Sequence, residues 1–187
     1  MSNLKPSTKA LLIIDMINHF NFEHGDQLLN HTLEILNPLL QLKQTAKAAN
    51  IPIIYINDHY NLWQADFQKI IEVCRTNDNS ALIDKIAPTN EDFFLIKPKH
   101  SAFFGTSLNT LLAHLHVKEL ILTGIAGNIC VLFTANDAYM REFTLYCPQD
   151  CITSVDIHDN EYALTMMKNV LKADISNSRD IHLNRPY

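Results

Sequence analysis

The chain has 187 residues, 47% apolar and 19% charged, with a formal net charge of −5. That is enough for one sizeable core and too apolar for a disordered chain. The mild acidity excludes the basic face or stripe that a nucleic-acid binder needs. No apolar stretch approaches the length that spans a bilayer. The opening Met1-Ser2-Asn3-Leu4-Lys5-Pro6 lacks the basic segment and apolar run of a secretory leader. Four cysteines, Cys74, Cys130, Cys147 and Cys151, are too sparse for a disulfide framework. The expectation is a single cytoplasmic domain over residues 1–187, with reduced thiols, a small-molecule partner, and neither nucleic acid nor membrane as partner.

In chain order, short apolar runs alternate with helical periods. The runs fall at residues 10–14, 51–56, 93–96, 120–123 and 143–146, and Ile175 marks a sixth. They are nearly continuous rather than alternating, as befits strands buried on both faces. Leu28, Leu29, Leu33, Leu36, Leu39, Leu40 and Leu42 recur near helical spacing, with Pro38 expected to kink or split that helix. Phe67, Ile70, Ile71 and Cys74 read as a shorter helix. Leu108, Leu111, Leu112 and Leu115 read as another, with Thr106 or Ser107 as N-cap. Residues 130–141 and 159–171 complete the set. Strand alternating with helix predicts βαβ units, a parallel sheet and an α/β fold in three layers, α/β/α and Rossmann-like.

Three polar residues sit just past apolar runs. Asp15 follows Leu11-Leu12-Ile13-Ile14, Lys97 follows Phe93-Phe94-Leu95-Ile96, and Cys130 lies beyond Ile121-Leu122-Thr123-Gly124. All three therefore belong to the carboxyl edge of the sheet, where open α/β sheets bind ligands. Each has a plainer reading: a helix cap for Asp15, a solvated strand end for Lys97, a small buried apolar side chain for Cys130. Together they put an acid, a base and a thiol on one edge. The stretch Gly124-Ile125-Ala126-Gly127-Asn128-Ile129-Cys130 is turn-rich, and a helical pattern follows it. Cys130 is thus expected at a helix N-terminus, where free N–H groups and the dipole lower a thiol pKa and receive an oxyanion. A neighbouring carboxylate would take the thiol proton, with the Lys holding that carboxylate ionised.

Three blocks carry a family resemblance: Ala10-Leu11-Leu12-Ile13-Ile14-Asp15-Met16; Lys97-Pro98-Lys99-His100-Ser101-Ala102-Phe103-Phe104-Gly105-Thr106; and Thr123-Gly124-Ile125-Ala126 through Cys130-Val131. In this order and spacing the chain resembles the isochorismatase-like cysteine hydrolase superfamily over nearly its whole length. The resemblance implies a six-stranded parallel sheet in the order 321456 and a homo-oligomer, dimer or larger. It implies Cys130 as nucleophile toward an amide, Asp15 as proton acceptor and donor, and Lys97 as the group orienting Asp15. It also implies a cis peptide at Ile125–Ala126, with the N–H groups of Ala126 and Cys130 forming an oxyanion hole. The chain departs from the family pattern in Ile17-Asn18 after Met16 and in Gly127-Asn128 where Thr-Asp is common. The retained Cys130 favours carbonyl chemistry on small amides such as nicotinamide, carbamoyl-amino acids or ureido acids. The alternative is a catalytically silent binding or scaffold member, kept open by Gly127-Asn128.

Nicotinamidases of this family carry a metal site with an Asp, a His two residues later and a further His. Here Asn57-Asp58-His59 puts the His next to the Asp, with no His between His59 and His100. No metal and no other cofactor is expected, since a metal site needs at least three well-aimed ligands. Phe20, His59, Trp63, Phe103 and Asn128 are expected to line the substrate pocket, which combines aromatic walls with few polar groups.

Overall fold

The computed structural model describes residues 8–183. The N-terminal hexapeptide read above lies outside them. Among the described residues no helix is long and apolar enough to cross a membrane.

Five strands, β1 (Lys9–Ile14), β2 (Ile53–Asp58), β3 (Phe93–Lys97), β4 (Glu119–Gly124) and β5 (Thr144–Tyr146), form one parallel sheet in the order β3-β2-β1-β4-β5. The expected α/β class and three-layer build hold. The sheet has five strands rather than six, because the run around Ile175 contributes only an isolated parallel bridge, Tyr146↔Asp174. Lys172 has a left-handed φ of 58°, and the Asp174 carboxylate accepts the Ser176 N–H at 2.9 Å. The chain therefore enters and leaves the extended state within a residue or two, and β5 offers only three residues to pair with.

Alternation along the buried strands divides their side chains between two cores. Leu11, Ile13, Tyr55 and Ile121 face α1 (Gly25–Ala48), α2 (Phe67–Cys74) and α3 (Ser80–Ile86). Leu12, Ile14, Ile54, Leu120 and Leu122 face α4 (Leu108–His114), α5 (Leu132–Tyr139) and α6 (Ile157–Asn169). Helix α1 runs unbroken through Pro38. Proline leaves the Glu34 carbonyl without its intrahelical donor, and Glu34 is exposed, so water can serve that carbonyl. Leu33 lies on the outer face at 42% exposure, while Ile35, absent from the leucine pattern, is buried. The Asp66 side chain caps α2 and the Asp156 side chain caps α6, each accepting two backbone N–H groups.

This topology positions the site. Strand order reverses between β1 and β4, and the crevice at such a switch point lies at the carboxyl ends of the strands. Asp15 leaves β1 and the Cys130 turn leaves β4, so these two segments flank the crevice directly.

Candidate active site

Asp15 takes a left-handed φ of 53° as the chain turns off β1, a conformation that Asp tolerates better than most residues. Its N–H donates to Ile56 O at 3.0 Å. The following segment is clamped by Asn57, whose side chain accepts the Ile17 N–H (3.1 Å) and donates to the Ile17 carbonyl (2.7 Å). Lys97 comes from β3, two strands away. The register pairs Asp58 with Lys97, and that pairing brings two donors to one carboxylate. The Asp58 N–H reaches Asp15 Oδ1 at 2.9 Å, and Lys97 Nζ reaches Oδ2 at 2.8 Å. Lys97 Nζ also donates to Cys130 Sγ at 3.4 Å, and the Asp15 carboxylate and Cys130 thiol are near enough for each to shift the other's pKa. The structure thus brings Asp15, Lys97 and Cys130 together, with Lys97 bonded to both of the others.

Gly124 ends β4 with φ 110°, and a Cβ there would fall 2.1 Å from Ile14 O. Only glycine allows this approach of the β1 backbone. The Ile125–Ala126 peptide is cis. A π-helical turn, Gly127–Val131, carries Cys130 into α5. In this turn the N–H groups of Gly127, Asn128, Ile129 and Val131 donate to Thr153 O, Ser154 Oγ, Ala126 O and Ala126 O respectively. Among the described residues, those of Ala126 and Cys130 have no partner outside the turn. Thr134 ties the turn to the Lys97 loop: its Oγ1 donates to Cys130 O (2.7 Å) and accepts the Ala102 N–H (3.0 Å). Ser101 in the same loop hydrogen-bonds Asp137 of α5.

Electrostatics corrects the expectation of a lowered thiol pKa. Burial pushes the Cys130 thiol up to about 12, the Asp15 charge adds to this, and Lys97 only partly opposes it. Cys130 itself lies where the sequence implied, in the π-turn that leads directly into the N-terminus of α5. Burial also raises the Asp15 pKa, against the lowering effects of Lys97, Cys130 and the Asp58 N–H. Burial opposes the Lys97 charge, but Asp15 and Cys130 outweigh it and raise the Lys97 pKa. These shifts favour the charged form of Lys97 and the neutral form of the Cys130 thiol, and they make the Asp15 carboxylate a stronger base than a solvated one.

The three groups open into a cleft of about 580 Å³. Leu28, Ile129 and Val155 form apolar wall, while Asn18, His19, Asp58, Tyr60, Lys99 and His100 supply polar groups. His100 Nδ1 lies 3.9 Å from Cys130 Sγ, and its ring meets Phe133 edge-on at 5.4 Å. The residues expected to line the pocket are placed elsewhere. Phe20 is buried in the α1-side core, and Phe103 in the opposite core under the Arg141 guanidinium, 4.8 Å from its ring. His59 stacks on Trp63 at 3.9 Å, and Trp63 is 66% exposed. Asn128 is held by Ser154 and Asp159. Aromatic character after a strand end is a poor guide here, because loop direction decides which side chains turn inward. Sequence reasoning passed over Asn57 and Thr134, whose one signal is a polar residue within an otherwise buried segment. Among the described residues no group of three or more His, Cys, Asp and Glu side chains is arranged to hold a metal.

Comparisons with known proteins find relatives over most of the chain. The chain is 55% identical over 178 residues to the uncharacterized isochorismatase family protein YaaI of Bacillus subtilis (strain 168), covering 95% of this chain and 98% of that one. It is 26% identical to the ureidoacrylate amidohydrolase RutB of Yersinia enterocolitica, over 73% of this chain and 71% of the relative. Among solved structures, N-carbamoylsarcosine amidase of Thermoplasma acidophilum superposes with a TM-score of 0.71 at 26% identity, covering 94% of this chain and 99% of that chain. A family model described as the isochorismatase domain matches residues 9–178, nearly the whole chain, and the chain belongs to the isochorismatase family.

Proposed function

We propose that this hydrolase cleaves the C–N bond of a small amide through a thioacyl intermediate on Cys130. The observation that carries the reading is the contact of a thiol, a buried ammonium and a buried carboxylate at the floor of one cleft, with Lys97 Nζ 2.8 Å from Asp15 and 3.4 Å from Cys130.

The chemistry follows from the protonation states. A thiol with a pKa of about 12 holds almost no thiolate at neutral pH, so its proton leaves as the sulfur attacks. Asp15, made more basic by burial, accepts that proton while Sγ bonds to the carbonyl carbon. The carbonyl π pair moves to oxygen, where the N–H groups of Ala126 and Cys130 receive it. The oxyanion collapses, the C–N bond breaks, and Asp15 returns the proton to the leaving nitrogen. Water then attacks the thioester as Asp15 takes its proton. The C–S bond breaks, and that proton goes back to sulfur, leaving acid, amine and the starting enzyme. Lys97 keeps Asp15 aimed and balances its charge throughout.

The relatives named for ureidoacrylate and N-carbamoylsarcosine make these two compounds, with nicotinamide, the first amides to test. The assay is ammonia release by wild type and Cys130→Ala. The expected result is release from at least one amide by wild type and none by the variant. Equal release by both rules out a thioacyl route. Binding without release by wild type favours the silent binding member. We further propose that the chain is one domain that works in the cytoplasm as a homo-oligomer, which sedimentation of the purified protein tests for assembly.

A further inference from the structure

The turn that carries Cys130 is gripped from behind by a buried polar pair with no part in the steps above. Asn160, in the first turn of α6, is 7% exposed, and Ser154 is fully buried. Ser154 Oγ donates to Asn160 Oδ1 at 2.9 Å, and Asn160 Nδ2 donates to Ile152 O at 3.3 Å. The Ser154 hydroxyl has a single proton. Because Asn160 takes it, the oxygen lone pairs are left to accept the Asn128 N–H, which lies 3.0 Å away. The Ile152 carbonyl, which can only accept, fixes which end of the Asn160 amide faces Ser154. Asn160 therefore sets the polarity of a short chain that ends on the backbone of the Cys130 turn.

Gly127 completes the arrangement. A Cβ on Gly127 would fall 2.1 Å from Asn160 Oδ1 and 2.7 Å from Ile152 Cγ2. Its φ lies outside the left-handed region, so glycine stands here for space rather than for backbone freedom. The departure at Gly127-Asn128 noted from the sequence is thus one half of a packed pair. Its other half is Asn160, 33 positions further along the chain. The Gly127 N–H donates to Thr153 O at 2.8 Å, so both residues at the head of the turn are tied to the segment 152–154. Ala126 and Cys130, whose N–H groups face no partner outside the turn, flank these anchored residues.

We propose that Asn160, acting through Ser154 and the space left by Gly127, is a positioning residue that aims the Ala126 and Cys130 N–H groups at the carbonyl oxygen of the substrate. The inference rests on the reading of Cys130 as nucleophile. It separates two reactions of the same thiol. Acylation passes through a tetrahedral oxyanion and needs those N–H groups, whereas alkylation at a saturated carbon forms no oxyanion and does not.

The test uses the full-length chain and two probes, p-nitrophenyl acetate for acylation and iodoacetamide for alkylation, with Cys130 identified as the modified residue by peptide mass. In Asn160→Ala, acylation is expected to slow at least about tenfold, a misaimed donor costing less than the hundredfold or more of a lost one. Alkylation is expected to stay within about twofold of wild type. Ser154→Ala, which removes a single oxygen, is expected to show the same split and carries the test if Asn160→Ala does not fold. Unchanged acylation in the variants overturns the inference. So does an equal fall in both reactions, which assigns Asn160 to general packing. Wild type that is alkylated but never acylated at Cys130 removes the nucleophile reading itself, and the inference with it.

Discussion

Replacing Lys97 by methionine keeps most of the side-chain volume and removes a buried cation from Asp15. The pair is 2.8 Å apart, with side-chain exposures of 2% and 9%. At an effective dielectric of about 20 its attraction is roughly 6 kcal/mol. Part of this is offset because the variant no longer has to desolvate an ammonium. The expected net loss at neutral pH is about 3–5 kcal/mol, the usual cost of leaving one charge of a buried pair uncompensated. The pH dependence gives the sign. Burial already raises the folded-state pKa of Asp15, and Lys97 opposes that rise, so the variant's Asp15 holds its proton still more tightly. A raised folded-state pKa contributes stability that is present at low pH and lost as pH rises through it. The deficit relative to wild type is therefore largest at alkaline pH and shrinks on acidification through the variant's Asp15 pKa, by up to about 1.4 kcal/mol per pH unit. Urea denaturation of both proteins across a pH series measures it. A deficit under about 1 kcal/mol, or one that grows on acidification, would refute the account of a charge-compensated buried pair.

Asp15→Asn is expected to divide the two reactivities of Cys130. Asp15 holds the thiol pKa up, so its removal should speed iodoacetamide alkylation at mildly alkaline pH by at least about threefold, about half a pKa unit. Amide hydrolysis, deprived of its proton acceptor, should fall by at least about a hundredfold; parallel changes in the two rates would contradict the assigned role. In wild type, alkylation of Cys130 should still be climbing at the highest pH the fold survives, as a pKa of about 12 requires; a plateau near neutrality would show a pre-formed thiolate. Gly124→Ala places a methyl group 2.1 Å from Ile14 O at φ 110°. A stability loss of about 3 kcal/mol or more is expected, read as a Tm lower by about 6–12 °C.

The order of apolar runs and helical periods determined the fold class, because burial on both faces leaves continuous apolar strands and one-sided helices. Strand ends located Asp15, Lys97 and Cys130 at one sheet edge for the same reason, since the end of such a run is where the strand emerges from between the helix layers. Beyond that, tertiary structure decided. The order β3-β2-β1-β4-β5 and the Asp58–Lys97 register determine that Lys97 reaches Asp15 across β2, and pairing of distant strands has no local signature. The sixth strand shrank to a bridge because hydrogen bonds at Asp174 and the turn at Lys172 outweighed the apolar cue of Ile175. The thiol pKa depends on desolvation and on the Asp15 charge, both supplied by other segments. The pocket walls likewise follow from loop paths, which turned Phe20 and Phe103 into the cores and Trp63 outward. At Gly127 the local sequence shows only a missing side chain; its meaning lies with Asn160, which folding alone brings alongside.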